Sequence, residues 1–144
     1  MHKLYLGLGA SLAGLGVILG AFGAHGLKAL VGPETVNTYQ TGVQYQMYHA
    51  FALMLVGILY ERMPNNLLNW AGILFLAGIV LFSGSLYLLA SLKAMNKVGI
   101  SGIGIITLAV LSLVGLTDIG IITPIGGVLF VIAWILLVIA IIRK

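Results

Sequence analysis

Residues 63–92 read MPNNLLNWAGILFLAGIVLFSGSLYLLASL, thirty positions without a single Asp, Glu, Lys or Arg. About 20 apolar residues in a helix cross the hydrocarbon core of a bilayer, so this stretch is long enough with turns to spare. Water is absent there, so the backbone must pair within itself, and a helix satisfies that condition. We read a span from about Leu67 to Leu92, with Trp70 as an interfacial anchor and Lys93 and Lys97 closing it.

Working outward, the same pattern recurs. No charged residue occurs in 4–27, 35–60, 98–117 or 119–142. Segment one runs from about Leu4 to Leu30 and stops at Gly32-Pro33. Between Pro33 and Val43 the spacing predicts a short interfacial helix. Proline suits its first turn, Glu34 suits its positive start, and Val36, Tyr39 and Val43 share a side. Segment two covers about Gly42 to Tyr60, segment four about Val98 to Thr117, and segment five about Ile122 to Ile142.

Composition agrees. Seven Lys or Arg and three Asp or Glu make 7% of the 144 residues charged, while 61% are hydrophobic. An average soluble domain carries about 25% charged residues. Mean hydropathy is +1.18. The fold expected is all-α: a single integral membrane domain over 1–144, a polytopic transmembrane bundle of five hydrophobic segments. Lys3 and the box Ala21-Phe22-Gly23 resemble a signal peptide, but the run is longer and richer in glycine than a signal core, so it is expected to be retained.

Orientation rests on Lys and Arg in the short loops. With five alternating spans, Lys3 and Arg62 fall on one side, and Lys28, Lys93, Lys97, Arg143 and Lys144 on the other, which favours a cytoplasmic C-terminus. With a re-entrant segment four, the two sides nearly balance and the tally decides nothing.

Several chemistries are excluded or left without parts. The pI near 9.6 rests on a surplus of four charges scattered through loops, with no cluster to neutralise nucleic-acid phosphates. Without cysteine there is no thiolate metal site or cysteine nucleophile. Two histidines without a neighbouring carboxylate make an incomplete metal site. No buried acid is available to orient a serine–histidine pair, so no catalytic residue, metal or cofactor is expected.

Polar residues within spans are costly and therefore informative. His25 lies near the end of segment one. Tyr45, Gln46 and His49 share one side of segment two, with Gln44 and Tyr48 largely on another. Ser83, Ser85 and Tyr87 come late in segment three. Alternating helix directions bring these patches to one membrane face. Two readings stand: an interhelical hydrogen-bond network, or a polar pocket open to the headgroups. Segment one also carries small-xxx-small pairs, including Gly9/Ala13, Gly16/Gly20 and Gly20/Ala24; with Gly23 these predict close helix packing.

Four motifs in order complete the reading: Gly20-Ala-Phe-Gly-Ala-His-Gly-Leu27, Thr41-Gly-Val-Gln-Tyr-Gln-Met-Tyr-His-Ala50, Phe82-Ser-Gly-Ser-Leu-Tyr87 and Ile122-Thr-Pro-Ile-Gly-Gly127. Together they resemble the domain-of-unknown-function 423 family, small YgdD/YwdK-like bacterial membrane proteins related to eukaryotic transmembrane protein 256. The resemblance implies a four-helix core in a bacterial cytoplasmic membrane and carries no established activity. The stretch 98–117 departs from the family pattern as an insertion. As an extra span it would send Thr123 and Pro124 to the opposite face and invert the last helix.

Three functions follow as expectations. The first is a non-catalytic protein whose interfacial pocket (His25, Tyr45, Gln46, His49, Gln44, Tyr48, Ser83, Ser85, Tyr87) binds a lipid headgroup or small amphiphile. The second is an assembly partner of itself or of another membrane protein through the glycine-rich first helix. The third is a small oligomeric transporter or channel.

Overall fold

The computed structural model describes residues 2–97 and 119–143, and they are helical apart from short connections. Helix α1 is His2–Leu30, with a π-helical turn at Gly23–Leu27. Helix α2 is Pro33–Arg62. Helix α3 covers 66–97, in which Asn66–Gly78 and Gly84–Lys97 flank a π-helical turn at Ile79–Ser83. Helix α4 is Ile119–Ile142. Segment four, expected at about 98–117, lies outside the described residues.

Three of these helices are long and apolar enough to cross a membrane by composition alone. They are His2–Leu30, Asn66–Met95 and Ile121–Ile142. Helix α2 is not among them, and it is the helix carrying Gln44, Gln46 and His49. Gln46 and His49 are tolerable because α1, α3 and α4 supply their partners, whereas Gln44 is exposed.

The separate interfacial helix expected at Pro33–Val43 is corrected: α2 is continuous for 30 residues. Nothing at the expected junction breaks it. Gly42 is buried against α3, where an added Cβ would stand 3.0 Å from the Tyr87 ring, so its role is close approach rather than a turn. Tyr39 and Val43 are buried within the bundle instead of lying on a membrane surface. Gly32 is extended at the helix start and Pro33 takes the first turn, where its missing N–H costs nothing. The start of α3 is capped by Asn65, whose side chain accepts from Leu68 N–H at 2.9 Å.

Helices α1 and α2 run antiparallel. Gly9 meets Ala50 and Met54, Gly16 meets Met47, Gly23 meets Tyr39, and Gly57 of α2 meets Leu6 in return. At Gly9 a Cβ would sit 2.8 Å from the Ala50 carbonyl oxygen, so only glycine permits this approach. Gly20 is looser, with Val43 at 3.4 Å. Tyr5 is 2% exposed and crosses to α3, where its hydroxyl donates to Asn69 Oδ1 at 2.6 Å. One core joins Tyr5 to Leu53, Val56, Leu68, Phe75, Phe130 and Leu137. A smaller one joins Leu27, Val31, Tyr39, Val43, Ala90 and Ala94 at the other end.

The direction of α4 overturns the inverted last helix. Phe130 lies over Gly78, Gly126 lies against Phe82, and Thr123 Oγ1 is 2.6 Å from Ser85 Oγ. Helix α4 is therefore antiparallel to α3, and Thr123 sits beside Ser85 rather than across the membrane. The charge tally changes with it. Lys3, Arg62 and Arg143 share one end, and Lys28, Lys93 and Lys97 the other, so the five-against-two partition no longer holds.

Candidate functional site

The polar residues inside the bundle form a seam in which each group answers another. Gln46 is 2% exposed on α2. Its Nε2 donates to the Leu12 carbonyl of α1 at 2.8 Å, and its Oε1 accepts from the Tyr87 hydroxyl of α3 at 2.9 Å. One amide thus ties three helices, using a donor and an acceptor at once. The Tyr87 ring also lies 4.9 Å from that of Tyr39.

One turn deeper, His49 is 5% exposed and held on both nitrogens and one face. Nδ1 is 2.7 Å from the Tyr45 carbonyl oxygen, which can only accept, so Nδ1 carries the proton. Trp134 Nε1–H of α4 donates to Nε2 at 3.3 Å, which requires a lone pair there. The imidazole is consequently the neutral Nδ1–H tautomer. Its ring stacks on Phe130 with centroids 3.4 Å apart and planes 4° from parallel, and Phe75 stands 5.7 Å away.

Ser85 bridges α3 and α4. Its single hydroxyl proton goes to the Phe82 carbonyl at 2.8 Å, so Thr123 is the donor in the 2.6 Å Ser85–Thr123 pair. Ser83 is the exception. It is fully buried in the π-helical turn, and its Oγ has no partner among the described residues.

Other residues of the expected site stand elsewhere. His25 and Gln44 are exposed, and Tyr48 is 59% exposed. Tyr45 lies at the rim, stacked on Phe82 at 4.6 Å. His25 and His49 are thus separated, one on the outside of α1 and the other among Phe75, Phe130 and Trp134. No cluster of metal-ligating side chains occurs among the described residues.

A groove of about 610 Å³ opens at the end of the bundle where α1 passes into α2. Ala24, Val31, Pro33 and Val36 form apolar walls, and Lys28 and Asn37 supply the polar lining. Sequence reasoning missed this groove because its residues are ordinary singly. The available signal was Lys28, the one charge between Lys3 and Glu34. Trp134, Phe130 and the Leu12 carbonyl were missed too, since the two bonds and the ring stack they make exist only through His49 and Gln46.

The profile of the family described as protein of unknown function (DUF423) matches residues 19–127, which hold all of the seam except its contacts with Leu12, Phe130 and Trp134. The chain belongs to this family. It is 40% identical over 142 residues to the UPF0382 membrane protein YwdK of Bacillus subtilis, covering 98% of each chain. A UPF0382 membrane protein of Staphylococcus aureus, SAB0533, is 40% identical over 96% of this chain and 94% of its own. One of Staphylococcus epidermidis, SERP0230, is 41% identical over the same shares. No solved structure matches the chain. With its apolar helices and these relatives, this family member is an integral membrane protein.

Proposed function

We propose that the protein is a non-catalytic membrane protein that holds an amphiphilic molecule in the groove between the end of α1 and the start of α2. The observation that carries this reading is the groove's lining: apolar walls from Ala24, Val31, Pro33 and Val36, with Lys28 and Asn37 beside them. Ligand sites combine an apolar cavity with a few polar groups that fix orientation. A lysine at a helix end keeps its ammonium at headgroup level while its stem lies along apolar surface. A molecule with an acyl part and a polar head matches that order.

A ligand seated instead among Tyr45, Gln46, His49 and Tyr87 has less support, because the side-chain polar atoms of Gln46, His49 and Tyr87 are already paired with one another, with Trp134 or with backbone carbonyls. We read this seam as the fastening that holds the helices while the groove does the binding. Native mass spectrometry of gently solubilised protein separates the two. Wild type is expected to retain a discrete amphiphile that Ala24→Trp loses by filling the groove, while His49→Ala retains it. Retention by Ala24→Trp, or loss only in His49→Ala, refutes the groove reading.

A second reading has one observation in its favour. Gly7 and Gly14 of α1 face outward with nothing within 4 Å of an added Cβ, so α1 offers another helix a close approach. Cysteine crosslinking from positions 7 and 14 in native membranes tests it. Absence of any crosslinked species counts against assembly through this face.

A further inference from the structure

The groove's chemistry allows its occupant to be narrowed. We infer that it selects a phospholipid with a net anionic headgroup, the phosphate resting on Lys28 with Asn37 beside it. This inference rests on the groove reading and adds the charge of the ligand.

Lys28 is the only charged residue in the lining, and it is exposed at the α1 end. Among the described residues it makes no ion pair, so its ammonium is available. Asn37 adds an amide able to donate to a phosphate oxygen. The start of α2 leaves only the Glu34 N–H without an acceptor among the described residues. Pro33 has no N–H, and those of Thr35 and Val36 both donate to the Gly32 carbonyl, at 3.1 and 3.2 Å. The exposed Glu34 lies in that first turn but outside the lining. Recognition of an anion therefore falls to one side-chain charge rather than to a ring of backbone donors.

The same inventory discriminates between headgroups. A zwitterionic choline lipid brings its own cation to the mouth of the groove, where Lys28 repels it and no lining carboxylate receives it. A glycerol headgroup brings none. One lysine near a membrane surface corresponds to about a fivefold preference for the anionic lipid. The apolar walls commit the site to a lipid rather than a free oxoanion, since a free phosphate leaves Val31 and Val36 uncovered.

The test uses the full chain in nanodiscs holding equal amounts of phosphatidylglycerol and phosphatidylcholine, with retained lipid read by native mass spectrometry. Wild type is expected to hold phosphatidylglycerol about fivefold over phosphatidylcholine. Lys28→Gln is expected to hold both equally, and Lys28→Arg to restore the preference. Equal retention in wild type, abolished by Ala24→Trp, overturns the charge selection and leaves the groove reading standing. No lipid retained by wild type overturns the groove reading itself. Inorganic phosphate at 10 mM, matched against chloride at equal ionic strength, distinguishes the sources. An unchanged preference supports a lipid ligand; displacement by phosphate beyond the chloride control overturns it in favour of a free oxoanion.

Discussion

Replacing Gln46 with leucine tests whether the polar seam holds the bundle together. The side chain becomes one atom shorter, stays apolar near the backbone, and loses the donor to Leu12 O and the acceptor for Tyr87 Oη. Interhelical hydrogen bonds in membrane proteins average about 0.6 kcal/mol, so two account for about 1.2 kcal/mol. The half-buried Tyr87 hydroxyl is also left without its acceptor, which adds about 1 kcal/mol. The expected loss is therefore about 2 kcal/mol. The Leu12 carbonyl adds little, because it keeps its own helical N–H partner. Reversible unfolding in mixed micelles, followed by tyrosine and tryptophan fluorescence, measures the loss. A double-mutant cycle with Tyr87→Phe isolates the coupling, expected at about 0.5–1 kcal/mol. Unchanged or raised stability in Gln46→Leu, or zero coupling, refutes the assignment of the seam to helix fastening.

The remaining expectations concern single contacts. Ser83→Ala removes a buried hydroxyl that has no partner among the described residues, so stability in the same assay should be unchanged or raised by up to about 1 kcal/mol. A loss above 1 kcal/mol contradicts that description. Gly126→Ala sets a Cβ 2.5 Å from the backbone nitrogen of Phe82, which cannot swing aside, and should cost about 1–3 kcal/mol. Gly14→Ala, with open space around it, is the matched control and should leave stability within about 0.5 kcal/mol. His49→Phe keeps an aromatic ring on Phe130 but loses both nitrogen bonds, at about 1–2 kcal/mol, whereas His49→Ala also opens a cavity and should cost about 3–4 kcal/mol. Equal costs for the two variants contradict the stacking.

Much of the polar seam could be anticipated from spacing. Gln46 and His49 are three residues apart, so they share a helix face, and helices of alternating direction carry Tyr87 to the same level. What spacing could not supply was each partner. Trp134 looks like an ordinary lipid-facing aromatic until His49 Nε2 is found opposite its indole N–H. Tyr48 and Gln44 illustrate the reverse. Both are polar neighbours of buried residues, yet they point outward because the helix turns about 100° per residue. His25 fails for a similar reason: arriving at the right membrane face did not bring it to the right side of α1.

The sequence by itself determined that this chain lives in a bilayer and is built of helices. Charge-free runs of more than 20 residues must satisfy their own backbone in lipid, whatever their neighbours are. It also marked the glycines that allow α1 and α2 to approach. Tertiary structure alone decided that α2 continues unbroken from Pro33, that α4 runs antiparallel to α3, and that Lys28 and Asn37 line a groove. The physical reason lies in the solvent. In water, an amphipathic stripe tells which face of a helix is inward. Helices α1 and α4 are apolar nearly all round, so their inward faces are chosen by close steric fit between surfaces, and that fit exists only once the helices are side by side.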